Sequence, residues 1–307
     1  MTSDESETSQ SIGRSATDRP DGVASRNRNV ETIDQIFRAT GGPAEFIDGL
    51  WFENAPFDVL EVGFGWGIAL LQLAWRFHGR GIHFHGVDIE PKIELSTPER
   101  VVMFACEQGI VPEAQASELN PPRFSFYDAT TLEFDDECMD FVFSAVTIRF
   151  MADKIAFIQE VARVLRPNGQ ALLHIGESHW SYPHSRVTDA PLLTPFTSRL
   201  ILKHGDELIP LPAYFRLFEN DRFSFRFTEQ SRCILIMSKH KSGRLDLGLA
   251  LNDGLTMSGR SVPLVNRKGE VRGGMRSVYD VSDAAYREAV RRGLIPRGGG
   301  ELGSTSK

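Results

Sequence analysis

The spacing of apolar residues changes several times along the chain, and each change marks an element. Residues 1–29 have no such pattern. They are rich in Ser, Thr, Asp and Arg and contain no Leu, Phe, Trp or Tyr. So polar a segment buries too little apolar surface to offset its ordering entropy, and it is expected to be a disordered tail. Val30, Ile33, Ile36 and Phe37 then predict a helix, and Phe46, Leu50 and Trp51 predict a second after Gly41-Gly42-Pro43. Asp58–Val62 reads as a strand, and Ile68, Leu71 and Trp75 as one helix face. A second strand, Ile82–Val87, is followed by a helix from Ser96-Thr97-Pro98-Glu99 to Gly109. Arg123–Tyr127 and Asp140–Ser144 give two more strands. A helix over 152–165 stops at Arg166-Pro167-Asn168-Gly169, and a fifth strand runs from Gln170 to Ile175. Arg222–Phe227 and Arg232–Ser238 read as a closing antiparallel hairpin. This order predicts an α/β, doubly wound, mostly parallel sheet with helices on both faces.

Composition narrows the class. With 307 residues, 41% of them hydrophobic, the chain can hold one large domain with additions. The net charge of −7 favours neither nucleic acid nor an anionic membrane. The three cysteines, Cys106, Cys138 and Cys233, suggest no disulfide framework, and no Cys/His spacing suggests a metal site. No apolar run reaches 18 residues and no signal-peptide core is present, so a cytoplasmic protein is expected.

The chemistry centres on Glu61-Val62-Gly63-Phe64-Gly65-Trp66-Gly67, between the first strand and its helix. Glycines let the backbone turn sharply and admit a ligand, and the helix N-terminus turns its free N–H groups toward that ligand. The dinucleotide pattern G-x-G-x-x-G would place its third glycine where Ile68 stands. Asp88, 21 residues after Gly67 at the end of the second strand, is placed to accept hydrogen bonds from a ribose. The glycine run with its leading Glu61 resembles the first motif of class I S-adenosylmethionine-dependent methyltransferases. The block from the fourth strand through Glu160-Val161-Ala162-Arg163-Val164-Leu165-Arg166-Pro167-Asn168-Gly169 resembles small-molecule members of that family. Asn168 stands where the family more often has glycine. Asn120-Pro121-Pro122-Arg123 is not the amino-group methyltransferase motif, since it precedes the third strand and lacks the aromatic residue.

The resemblance covers residues 55–176 and 222–239. It implies a Rossmann-like fold, S-adenosylmethionine as cofactor, and methyl transfer to a small-molecule acceptor. Glu61 would lie near the cofactor's methionine end. Gly63, Phe64, Gly65 and Gly67 would form the cradle, Asp88 and Ile89 the ribose side and Asp128 and Ala129 the adenine side, and Ser144 to Thr147 would meet them in the crevice. The expected domains are the tail, a methyltransferase domain over 30–240 with an inserted acceptor-binding region at 176–221, and an extension over 241–307 with a disordered end.

Within the insertion His179 is the first candidate for a general base, followed by His184 and Glu177. The fifth strand ends close by, and strand ends face the crevice. A hairpin is predicted around His204-Gly205-Asp206, and a helix over 281–294 capped by Ser282. Arg260 to Arg297 holds nine Lys/Arg against four Asp/Glu. That excess suits an anionic acceptor, a solvated face or a subunit contact, so a homo-oligomer stays open. His83 and His85 read as structural histidines. The rival functional reading is a non-catalytic partner subunit that keeps the fold and binds the cofactor.

Overall fold

The computed structural model describes residues 28–53, 55–175, 200–205, 207–228, 234–252, 264–265, 271–272 and 277–295. Two short helices come first. In α1 (Val30–Phe37) the Asn29 side chain accepts from the Thr32 N–H, and α2 (Pro43–Leu50) starts on a proline. Arg28 and Asn29, assigned to the tail by composition, are therefore engaged.

The strand–helix alternation then runs β1 (Phe57–Val62), α3 (Ile68–Arg76), β2 (Ile82–Asp88), α4 (Pro98–Glu107), β3 (Arg123–Phe126), β4 (Met139–Ser144), α5 (Lys154–Val164) and β5 (Leu165–His174). With β8 (Phe223–Phe227) and β9 (Ile234–Lys239) the strands form one seven-stranded sheet in the order β3-β2-β1-β4-β5-β9-β8. The first five strands are parallel, and β9 runs antiparallel to both β5 and β8. This is the expected Rossmann-like sheet with its closing hairpin.

Strand alternation splits the interior into two cores, one on each face. Leu60, Val62 and Val142 pack with Ile158 and Val161 of α5, while Val59, Phe141 and Phe143 pack with Leu70 and Leu71 of α3. The strand order reverses beside β1, which opens a crevice at the carboxyl ends of β1 and β4.

The amino ends carry a polar knot. Asp58 accepts from Arg166 at 2.9 Å and lies 3.1 Å from His85 Nε2 and 3.4 Å from His83 Nδ1. Arg166 also bonds Asp140. The two histidines thus serve the structure, as their alternation suggested.

The helix over 152–165 is shorter than expected, and the strand after it begins at Leu165. Asn168 adopts φ 70°, the left-handed conformation that asparagine tolerates well, and lets the chain bulge into the sheet. A Cβ on Gly169 would stand 2.9 Å from the carbonyl oxygens of Arg166 and Asp140.

A second, four-stranded sheet joins two distant segments. It orders β10 (Leu249–Leu251), β13 (Ser277–Val281), β6 (Leu200–His204) and β7 (Glu207–Ile209). The β6–β7 hairpin turns at Gly205, as expected, but β6 pairs in parallel with β13 from the extension. Helix α6 (Leu211–Phe215) follows β7, and a small ribbon, β11 (Leu264–Val265) with β12 (Val271–Arg272), precedes β13. Helix α7 (Asp283–Arg291) is capped by Ser282. It starts later than expected because Val281 ends β13. Among the described residues, no helix is long and apolar enough to cross a membrane.

The second sheet docks on the start of α5. The Tyr279 hydroxyl donates to Asp153 at 2.8 Å and accepts from the Ile155 N–H at 3.1 Å. Ser277 donates to the Ala152 carbonyl, and the fully buried Lys154 ammonium donates to Ser277 and to the Met151 carbonyl.

Candidate functional site

The crevice is shaped first by its glycines. Gly63, Gly65 and Gly67 have φ of 79°, 63° and 73°, which side chains with a Cβ adopt only with strain. At Gly63 a Cβ would also fall 1.9 Å from Thr147 Oγ1, and at Gly67 one would press on Phe124 and Leu95. These three positions in the loop between β1 and α3 are therefore reserved for glycine on geometric grounds.

Two carboxylates bracket this loop. Asp88, the last residue of β2, accepts from the Gly65 N–H at 2.9 Å through one oxygen and from the Glu90 N–H at 3.2 Å through the other. It holds the loop while standing at the open edge of the sheet. Ile89 follows it with 62% of its surface exposed.

Glu61, at the carboxyl end of β1, is only 2% exposed, and its buried Oε2 has no hydrogen-bond partner among the described residues. Burial in an apolar surround disfavours the charged form. It pushes this carboxyl up to about 8, with nearby Asp88 adding to the rise and Arg28 opposing it.

Two residues meet the loop from other segments: Arg28, which sequence reasoning passed over, and Thr147, the end of the stretch expected at the crevice. Arg28 Nη2 and Thr147 Oγ1 each lie 3.2 Å from the Gly63 carbonyl oxygen, to which both donate. Arg28 sits in a stretch read as tail, and its only signal is its position just before the helix cap Asn29. Thr147 follows Val146, a β-branched residue at φ 69°. That conformation costs on the order of 1–3 kcal/mol and persists only where the surroundings impose it. Here it swings the exit of β4 so that Thr147 lands on the loop.

The other expected cofactor residues divide. Phe64 is 2% exposed and packs edge-on against Phe124, with ring centroids 4.7 Å apart. Ser144 is fully buried, and its hydroxyl donates to the Val62 carbonyl, tying β4 to β1. Any contact these two make with a ligand would run through backbone atoms. Asp128 caps its own loop by accepting from the Thr130 N–H and hydroxyl, and Ala129 beside it is buried. Glu177, His179 and His184 lie outside the described residues. No cluster of His, Cys, Asp or Glu that could hold a metal ion occurs among the described residues.

The residues present fit the cofactor that the resemblance implies. A Cβ-free cradle, a carboxylate at the end of β2 and an unpartnered buried carboxyl at the end of β1 offer places for a nucleoside and a cationic amino group.

Comparison with known proteins agrees with this geometry. A methyltransferase-domain family model matches residues 60–173. Phosphoethanolamine N-methyltransferase 2 of Caenorhabditis elegans is 27% identical over 115 residues, 38% of this chain and 23% of that protein. The biotin biosynthesis bifunctional protein BioHC of Cellvibrio japonicus is 27% identical over 170 residues, 55% of this chain and 27% of that protein. The chain thus spans roughly a quarter of the length of these two relatives. Among solved structures, phosphoethanolamine N-methyltransferase 2 of Haemonchus contortus with phosphomonomethylethanolamine and S-adenosylhomocysteine superposes with a TM-score of 0.30. It is 22% identical, with 44% of this chain and 28% of that one covered. Geranyl diphosphate methyltransferase superposes with a TM-score of 0.34 at 19% identity, covering 47% of each chain.

Proposed function

We propose that the chain is a class I S-adenosylmethionine-dependent methyltransferase, which the methyltransferase-domain match over residues 60–173 supports, and that it methylates a small-molecule acceptor. The observation that carries this reading is the pair of carboxylates, Glu61 and Asp88, set on either side of the glycine loop. When bound, the cofactor supplies a methyl group already activated on a sulfonium. The protein's task is then to hold a nucleophile close to that group and in line with it.

Each residue's part follows from its chemistry. Asp88 receives the ribose hydroxyls, and the loop N–H groups and the start of α3 receive the polar atoms next to them. Glu61 takes the ammonium of the methionine end. Arg28, donating to the Gly63 carbonyl beside it, is the nearby cation for the carboxylate of that end.

The name of the Caenorhabditis elegans relative makes phosphoethanolamine a first acceptor to test. If the acceptor carries a proton on its nucleophile, a base must remove it. His179 is proposed for that role, with His184 and Glu177 behind it.

The test is calorimetry followed by turnover. S-adenosylmethionine and S-adenosylhomocysteine should bind in the micromolar range, about −8 kcal/mol. Labelled methyl should pass to a member of a small-molecule panel that includes phosphoethanolamine. Binding of a nicotinamide dinucleotide with neither adenosyl ligand would overturn the reading.

A further inference from the structure

We propose that Glu61 is protonated in the ligand-free protein at neutral pH and gives up that proton when the cofactor's amino-acid end docks, so that cofactor affinity rises with pH. This deepens the reading above and rests on it.

The geometry carries the inference. Glu61 is a carboxyl 2% exposed to solvent, on a strand buried on both faces. Among the described residues its Oε2 meets no hydrogen-bond donor. An ionised oxygen so placed is expensive, and a buried carboxyl escapes the cost by holding its proton. The strands beside it offer no relief, since its register partners are Gly86 on β2 and Phe143 on β4. Two charged groups act on it. Asp88, at the end of β2, disfavours a second negative charge, while Arg28 from the N-terminal segment favours one. Arg28 also donates to the Gly63 carbonyl, which directs part of its guanidinium toward the loop backbone.

An arriving ammonium changes this balance. A cation within hydrogen-bond reach favours the carboxylate, so the proton leaves for solvent and an ion pair forms in its place. No bond to carbon is made or broken, and the released proton is the whole of the exchange. Linkage then fixes the sign. Where the free protein holds a proton that the complex does not, affinity tightens up to tenfold for each pH unit gained. The ligand's α-amino group, beside its own free carboxylate, holds its proton to a higher pH than the peptide α-amino range of about 7.7–8.0, so a window below that range, from about pH 6 to 7.5, isolates Glu61.

The experiment uses S-adenosylhomocysteine and the full chain. Titration calorimetry at pH 6.5 in two buffers of different ionisation enthalpy should report close to one proton released per ligand bound. The dissociation constant should fall by about tenfold or more between pH 6 and 7.5. In Glu61→Gln both signals should vanish, leaving an affinity flat with pH over that range. Wild-type binding with no proton release and no pH slope overturns the inference and leaves the functional reading intact. Proton release that persists in Glu61→Gln overturns it too, by moving the titrating group elsewhere. No binding at any pH overturns the functional reading itself. The buffer comparison needs only the wild-type protein and can overturn the inference even if Glu61→Gln fails to fold, and Glu61→Asp then tests the assignment, since a shorter carboxyl should shift the pH at which the proton is released.

Discussion

Asp88 does two jobs with one side chain, and substitutions can separate them. Its oxygens hold the Gly65 and Glu90 N–H groups, and the same carboxylate stands where the ribose is expected. Asp88→Asn keeps an oxygen for Gly65 and loses the charge. Affinity for S-adenosylhomocysteine should drop by about 1.5–3 kcal/mol, the scale of a hydrogen bond to a charged group, with the melting temperature almost unchanged. An unaltered dissociation constant would remove Asp88 from the ribose role. Residues of this kind are legible in the sequence because spacing alone fixes them: the glycines and Asp88 occupy strand ends. Phe64 and Ser144 were legible in position but not in direction, since the way a side chain points depends on the neighbouring strand. Thr147 was legible as part of the stretch that leaves the fourth strand, whereas Arg28 escaped because it reaches Gly63 from a polar segment 35 residues away. His179 can be judged only by its effect on turnover. As a general base, its replacement in His179→Gln should slow methyl transfer by about 10²–10⁴-fold with cofactor affinity held within a few fold. Turnover within threefold of wild type, with the same pH profile, would exclude that role.

At the scale of elements, the parallel sheet was legible and the second sheet was not. Period changes and capping residues such as Thr97 and Ser282 leave local marks, and both residues cap as expected. The pairing of β6 with β13 leaves none. Both are short strands, 72 residues separate the end of one from the start of the other, and parallel pairing needs no turn between them. What holds that sheet to the main domain is a handful of buried polar contacts at the start of α5. Tyr279 is 1% exposed, and burial raises its hydroxyl well above the ordinary tyrosine range, so it remains a donor to Asp153 and an acceptor from Ile155 at any ordinary pH. Tyr279→Phe keeps the ring and strips both partners, which should cost about 1–3 kcal/mol. Hydrogen exchange should then quicken in β6, β13 and the first turn of α5, while β1 and β4 keep their protection. An even change across all strands would mean that the two sheets unfold as one unit.

The charges of the whole molecule set opposite limits on its stability at the two ends of the main sheet. At the amino ends, burial alone would lift the Asp58 carboxyl. The His85 bond and the Arg166 guanidinium outweigh that lift and hold it below its ordinary value. Asp140 shares Arg166 but is raised, chiefly by burial, so of the two it is Asp58 whose carboxylate the arginine and histidine stabilise on balance. A depressed carboxylate contributes stability above its unfolded value near 3.9, and that contribution disappears as pH falls through the folded value. At the carboxyl ends the sign is reversed. Glu61, raised to about 8 by burial, binds its proton more tightly folded than unfolded. Its contribution is complete below about pH 4.5 and is lost as pH rises toward 8, on the order of 3–5 kcal/mol if no ligand intervenes. The ligand-free protein should therefore be most stable near pH 5 and weaken toward pH 8.5. Saturating S-adenosylhomocysteine should flatten the alkaline side, because a ligand that pairs with the carboxylate binds the ionised native state and not the unfolded chain. Urea unfolding at pH 5, 6.5 and 8, with and without ligand, reads this directly through midpoints at a constant slope. In Glu61→Gln the ligand-free alkaline decline should disappear while the acid decline from Asp58 remains. A wild-type protein whose ligand-free stability climbs steadily from pH 5 to 8 would show that Glu61 ionises freely where it lies, and that another group relieves its burial.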